Sequence, residues 1–135
     1  MVDETPSQFV NEAELRGLHD AVNPLARDKA IPNLEPHSIH FISLSPFLCI
    51  ASSDPDGPAD VSPRGDAPGF VKVLDDKTLL IPDRIGNNRL DTSANIANNP
   101  HIGLIFLVPG VTETLRVNGQ ARICTDGEVM AEFEV

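Results

Sequence analysis

The chain has 135 residues, of which 41% are hydrophobic and 22% charged, and its formal net charge is -10 at pH 7. A chain of this length forms about one domain, and without a long apolar run it contains no membrane span. Twenty acidic residues against ten basic ones argue against nucleic acid or an anionic membrane as a partner, because both of those select basic surfaces.

The N-terminal part predicts a helical arm over about residues 1–35 of a single 1–135 domain. Apolar residues recur at helical spacing from 9 to 22, and Asn11 is a candidate N-cap. The first ten residues, MVDETPSQFV, lack the basic start and apolar centre of a signal peptide, so we expect a cytoplasmic protein.

After this arm the sequence predicts short strands separated by turns. The first two apolar runs flank Pro46, a turn with Asp-Gly follows at 52–60, and an Asp-Asp-Lys turn divides the third run into two strands. The Asn118-Gly119 pair predicts a hairpin, because this dipeptide favours the turn that joins paired strands. The apolar runs lie at 39–44, 47–52, 70–82, 102–108, 112–119 and 120–125.

One helix is predicted between the strands, in the segment NNRLDTSANIANNP. Asn87 or Asn88 can cap its start, and Pro100 ends it. Six or more short strands with one inserted helix indicate a mainly β antiparallel barrel or sandwich. The final residues, EVMAEFEV, form a helix or strand without a terminator, so we expect the natural chain to continue past Val135. The apolar stripe of the inserted helix is predicted to consist of Leu90, Ala94, Ile96 and Ala97.

The stretch before this helix, Gly-Asn-Asn-Arg at 86–89, predicts an anion site. A helix N-terminus offers unsatisfied backbone N–H groups and a partial positive charge, and Arg89 adds a guanidinium. Arg84, at the end of the preceding strand, can reach the same anion. An alternative is that Arg84 and Arg89 pair with Asp83 and Asp91 on the surface, and this stretch alone leaves both readings open.

A second candidate binding segment lies at 59–71, in ADVSPRGDAPGFV. Ser62, Pro63, Arg64 and Gly65 are predicted to form a loop between two strands. A small hydroxyl, a stiff proline and a permissive glycine suit a loop that grips a flat or charged ligand.

Three stretches, at 51–71, 78–110 and 114–123, together resemble the pyridoxamine 5'-phosphate oxidase-related, FMN-binding split-barrel family, especially its small bacterial branch. The likeness spans about residues 36–125. It implies a six-stranded antiparallel Greek-key split barrel that forms a homodimer, with FMN bound in the clefts between the subunits.

The resemblance also implies cofactor-binding residues, each matched to a position of the family pattern. In chain order these are Ser62 and Arg64 near the flavin or its phosphate, Arg84 at the next strand end, Asn88 and Arg89 in the phosphate-gripping segment, and Arg116 on the strand that contacts the partner subunit's flavin.

The chain also departs from the family pattern. Asn87-Asn88-Arg89 stands where the better-known oxidases have Ser-Arg-Lys, and their substrate residues lie mainly in a C-terminal extension beyond this sequence. Vitamin B6 oxidation is therefore not supported.

The function expected from this resemblance is that of an FMN-dependent oxidoreductase acting on a small-molecule substrate or electron donor. The alternatives are a non-catalytic flavin-binding or storage protein, or a barrel that binds haem or a deazaflavin. Haem would need an axial ligand such as His37, His40 or His101. No catalytic residue stands out, so the sequence leaves enzyme and binder both open.

Other chemistries find no motif in the sequence. The four histidines lack metal-ligand spacing, so no metal site is expected. Cys49 and Cys124 have no CxxC spacing, which favours buried reduced thiols over a disulfide framework. No serine lies in a G-x-S-x-G setting, which leaves a catalytic triad without support.

Overall fold

The computed structural model describes residues 11–14, 33–82, 90–126 and 128–135. The chain divides into two compact units, Met1–Pro32 and Asn33–Val135. In the first unit, residues 12–14 are helical and the Glu14 N–H donates to Asn11 Oδ1 at 2.9 Å. The predicted N-cap is therefore confirmed, whereas the remainder of the predicted 9–22 helix lies outside the described residues.

The described part of the second unit is built on one sheet with strictly antiparallel pairing, in the strand order β2-β1-β5-β6-β7-β4-β3. The predicted mainly β antiparallel class is confirmed, with seven strands in place of the expected six. The strands are β1 (Phe47–Ser53), β2 (Ala59–Gly65), β3 (Lys72–Val73), β4 (Thr78–Pro82), β5 (His101–Leu107), β6 (Thr114–Asp126) and β7 (Glu128–Glu134).

Two helices accompany the sheet, α1 (Pro36–Leu44) and α2 (Leu90–Asn98). The strand predicted at 39–44 is wrong, because this run belongs to α1. Pro36 lies in the first turn of α1, where its fixed φ suits a helix and its missing N–H costs nothing. Neither helix of the described segments combines the length and apolar character needed to cross a bilayer.

The predicted Asn118-Gly119 hairpin is also wrong, since β6 runs through both residues without a turn. The first half of β6 pairs with β5 and its second half pairs with β7. A Cβ at position 119 would lie 2.8 Å from the Phe133 ring and closer still to the Glu134 carbonyl oxygen. Gly119 therefore serves the close approach of β7 rather than a turn.

The C-terminal segment EVMAEFEV forms β7, which lies between β6 and β4 in the sheet. Phe133 on this strand is fully buried. The Val135 N–H donates to the Lys77 carbonyl at 2.7 Å, which ties the last residue to the turn before β4. Strand β7 therefore joins the strands β2, β1, β5 and β6 to the strands β4 and β3.

The core follows the two-residue period of the strands, with alternate side chains turned to one face. Burial of this apolar area is the main stabilising term of the fold. Ser45, between α1 and β1, is buried with this core, and its hydroxyl lies 2.6 Å from the Leu107 carbonyl oxygen. The least exposed apolar side chains are those of Ile42, Leu48, Ile50, Leu79, Ile81, Phe106 and Phe133.

Two carboxylates, of Asp75 and Glu132, make directed contacts outside the core. The Lys77 N–H donates to Asp75 Oδ1 at 2.8 Å, and this hydrogen bond lowers the pKa of Asp75. Glu132 accepts from Arg122 across β6 and β7 at 2.7 Å, and this contact raises the pKa of Arg122. Both contacts lie at the surface, so they order a turn and a strand pair without forming part of a buried site.

Candidate functional site

Strand β2 carries a polar row on its core-facing side, made of Asp60, Ser62 and Arg64. Alternation along the strand turns these three side chains to one face, and Ser62 and Arg64 are 1% and 7% exposed. The loop predicted for this segment is wrong, because residues 59–65 pair with β1 along their whole length. Pro63 is tolerated because β2 is an edge strand of the sheet.

Arg64 is oriented by its neighbour in this row. Its Nε donates to Ser62 Oγ at 3.2 Å, so the side chain lies back along β2 in the direction of Asp60. A buried guanidinium requires hydrogen-bonded surroundings, because an unpaired charge in the interior is costly. Arginine has five N–H donors, so Arg64 brings several hydrogen-bond donors to the buried face of β2.

Helix α2 is held at the other end of the row by polar contacts. Thr92 Oγ1 lies 3.5 Å from Asp60 Oδ2, and the Asn95 side-chain amide donates to Ser52 Oγ at 3.1 Å. Thr92 is 2% exposed, so its hydroxyl is buried against β2. One turn further along, Asn99 donates to Ser53 Oγ at 3.2 Å.

These contacts bring the first turn of α2 and the row on β2 to the same face of the sheet. Thr92 lies in the first turn of α2 and contacts Asp60, which begins the row that continues through Ser62 to Arg64. The helix start and the buried arginine are far apart in sequence, and β2 connects them in space. Ser62 and Arg64 are thus neighbours on one buried face, and their role in cofactor binding stays a prediction.

The other predicted site residues do not join this group in the described chain. Arg84, Asn88 and Arg89 lie outside the described residues. Arg116 is exposed on the opposite face of the sheet, where it pairs with Ile105 of β5. Within one subunit it points away from Ser62 and Arg64.

Sequence reasoning missed four residues that build this place: Ser52, Asp60, Thr92 and Asn95. The predicted apolar stripe of α2 is wrong at Ala94 and Ala97, which are both exposed, while Ile96 is buried. Polar residues at 92, 95 and 99 recur at helical spacing, and this period was the signal that could have identified the sheet-facing side.

The outer face of β1, β2 and β5 is apolar and partly exposed. Val61 is 67% exposed and pairs with Ala51, while Cys49 is a half-buried free thiol opposite Pro63. Strand β5 is buried on one face, and its other face is half-buried or exposed in the single chain. We call the following six residues the outer apolar face: Phe47, Cys49, Val61, Pro63, Ile105 and Leu107.

The described residues offer neither a buried histidine ligand for haem nor a cluster of metal ligands. His37, His40 and His101 are all exposed, so none is a buried axial ligand. No group of three or more His, Cys, Asp or Glu side chains in these segments is placed to hold a metal ion. A cleft of about 480 Å³ lies elsewhere, at the contact of β5, β6 and β7, and neither Ser62 nor Arg64 lines it.

Comparison with known proteins gives a family match over the unit that carries this site. The family model described as pyridoxamine 5'-phosphate oxidase matches residues 34–135, which include α1, α2 and all seven strands. A comparison with the curated proteins finds no match. The family match therefore covers the whole sheet and both of its helices.

Solved structures share the fold at low sequence identity. HupZ of Group A Streptococcus is 18% identical, with a TM-score of 0.60 and coverage of 76% of this chain and 89% of that one. An FMN-binding protein from Syntrophomonas wolfei is 12% identical, with a TM-score of 0.51 and coverage of 91% and 90%. The haem storage protein HutZ from Vibrio cholerae is 15% identical, with a TM-score of 0.51 and coverage of 75% and 88%.

Proposed function

The chain belongs to the pyridoxamine 5'-phosphate oxidase family and has its split-barrel fold, and we propose that it binds FMN and uses it as an oxidoreductase. The observation that carries the proposal is the buried pair of Ser62 and Arg64. A hydroxyl and a guanidinium on one buried strand face suit an anionic ligand, because hydrogen bonds to charge gain strength away from water.

The donor set of this face fits the phosphate of FMN. Arginine binds a phosphate through two parallel N–H donors, and the first turn of α2 adds backbone N–H groups without intrahelical acceptors. The contact between Thr92 and Asp60 supports the nearness of that turn to the row. On the family resemblance, the proposal retains Arg84, Asn88 and Arg89 as further phosphate ligands.

Bound FMN supplies hydride or electron transfer, and the protein supplies binding, orientation and control of solvent access. In this chain, Ser62 and Arg64 would hold the anionic end of the cofactor on the buried face. The proposed reaction partner is a small-molecule substrate or electron donor.

Turnover tests the oxidoreductase part of the proposal. With FMN bound, the protein is expected to oxidise a reduced nicotinamide faster than an equal concentration of free FMN, followed by the loss of nicotinamide absorbance. Free FMN with heat-denatured protein is the control. A rate no higher than this control with several electron acceptors would leave the non-catalytic alternative, a flavin-storing protein.

We also propose a homodimer in which the outer apolar face meets a second copy of the chain. Isolated apolar side chains are common on surfaces, but a contiguous flat apolar face on neighbouring strands is typical of an interface. Arg116 lies on the same side of the sheet, opposite Ile105. From there it is placed to reach the flavin of a partner subunit, as the family resemblance implies.

Replacing Val61 with lysine tests the dimer. The wild-type protein is expected to scatter light with twice the chain mass of 14.6 kDa, and Val61→Lys is expected to scatter as a monomer. Val61 is 67% exposed in the single chain, so the fold tolerates the charge, whereas a paired interface would bury it. Leu74→Lys is the control, because Leu74 is 56% exposed beside β3, at the other end of the strand order. A monomeric wild-type protein would contradict the proposal.

A further inference from the structure

The side of α2 that faces the sheet is unusually polar for a helix on a barrel. An amphipathic helix ordinarily turns an apolar stripe to the core, yet α2 turns Thr92 and Asn95 to strands β2 and β1, and Asn99, directly after the helix, also contacts β1. Ile96 is its one buried apolar side chain among those described. The seat of α2 on β1 and β2 therefore depends on directed hydrogen bonds.

Two residues of α2 and two of the sheet form a polar cluster, which we call the α2 clasp: Ser52, Asp60, Thr92 and Asn95. Ser52 and Asp60 are directly opposite each other on β1 and β2, and Thr92 and Asn95 lie almost one turn apart on α2. Ser52 is 4% exposed and Thr92 is 2% exposed. Asp60 contacts Thr92, and Ser52 contacts Asn95. The two contacts together fix the rotation of α2 about its axis and its position along β1 and β2.

Hydrogen bonds of this kind restrict the position of a helix more strictly than apolar packing does. A helix resting on apolar side chains can shift slightly at small cost, whereas a shift here would leave a buried hydroxyl or amide without its partner. The Asp60 end of the clasp continues directly into Ser62 and Arg64 on the same face of β2. A movement of α2 would thus change the distance between its first turn and the Arg64 guanidinium.

We propose that Thr92 and Asn95 are positioning residues that set the first turn of α2 against the Ser62 and Arg64 face, and so determine affinity for the phosphate of the ligand. The inference rests on the proposed FMN site. It adds Thr92 and Asn95, which are not among the cofactor-binding residues that the family resemblance implies. It predicts a selective effect, because in the proposed site the first turn of α2 would meet the phosphate, which FMN has and riboflavin lacks.

Paired variants separate positioning from general stability. Thr92→Val removes the buried hydroxyl at constant shape, and Thr92→Ser keeps it. Asn95→Leu removes the amide that reaches Ser52. Asn98→Leu is its control, since Asn98 is exposed and its amide donates within the helix, to the Ala94 carbonyl. The affinities of FMN and riboflavin for each purified apoprotein are measured by isothermal titration.

Thr92→Val and Asn95→Leu are expected to weaken FMN about 3- to 10-fold, the equivalent of one hydrogen bond, and to leave riboflavin within about twofold. Thr92→Ser and Asn98→Leu are expected to match the wild-type protein for both ligands. Equal weakening of FMN and riboflavin, or no weakening of either, would overturn the positioning role. A wild-type protein that does not prefer FMN to riboflavin would instead overturn the proposed phosphate site, and the positioning role with it.

Discussion

Replacing Arg64 with methionine is expected to lower the affinity for FMN about 10- to 150-fold, because a hydrogen bond to a charged group contributes about 1.5 to 3 kcal/mol. Riboflavin, which lacks the phosphate, is expected to bind the variant and the wild-type protein almost equally. Methionine preserves much of the length and apolar stem of arginine, so the buried space beside Ser62 stays filled. Titration of each apoprotein with both flavins measures the difference.

Arg122→Met is the matched control for this prediction. Arg122 carries the same charge but is exposed on β6, where it pairs with Glu132 at 2.7 Å. Its loss is expected to leave both affinities unchanged, since a surface ion pair contributes little. If Arg64→Met weakened FMN and riboflavin by the same factor, Arg64 would be a structural residue and the phosphate assignment would be wrong.

Replacing Gly119 with alanine is expected to lower the free energy of unfolding by about 3 kcal/mol, the upper part of the usual range for overpacking. The added Cβ would meet the Phe133 ring and the backbone carbonyl of Glu134. Backbone in a paired strand cannot move aside without breaking the pairing of β6 with β7. Urea unfolding followed by far-ultraviolet circular dichroism measures the change, since the chain has no Trp or Tyr for fluorescence.

Gly103→Ala is the control for this effect. A Cβ at 103 would lie 3.0 Å from the Asn118 side-chain oxygen, and Asn118 is exposed and free to change rotamer. The expected loss is below about 1 kcal/mol, as for most substitutions without a buried clash. Similar losses for Gly119→Ala and Gly103→Ala would contradict the view that the approach of β7 requires glycine at 119.

The sequence predicted the helices and strands that are determined by residues close together in the chain. Strand β1 and helix α2 lie close to their predicted bounds, because a short apolar run and a terminating Pro100 act within a few residues. Helix α1 was missed because its run of Ile and Phe is typical of a strand, and Pro36 in the first turn was the stronger signal.

The hairpin prediction at Asn118-Gly119 failed for a different reason. The Asn-Gly signal concerns only the preference of the two residues for a turn. Glycine is needed at 119 because the end of β7, more than ten residues later in the chain, lies too close to leave room for a Cβ. A requirement set by a distant part of the chain produces no sequence signal in the residues around 119. The pairing of β6 with both β5 and β7 therefore had to come from the three-dimensional structure.

The candidate site was predictable in part. Ser62 and Arg64 stand out as polar residues between apolar runs, although the alternation of Asp60, Ser62 and Arg64 indicates a strand rather than a loop. The contact between Asp60 and Thr92 joins residues 32 positions apart and was not predictable from either segment. The role proposed for Arg116 depends on a second chain, which no pattern within one sequence specifies.

The absorption spectrum of the purified protein, recorded after incubation with FMN and desalting, tests the central claim most directly. The chain contains no Trp or Tyr, so the near-ultraviolet and visible regions report almost entirely on the ligand. Binding at the Ser62 and Arg64 face predicts a retained yellow flavin band close to stoichiometric with the chain, and its loss in Arg64→Met. A colourless protein, or a sharp haem band in place of the flavin, would contradict it.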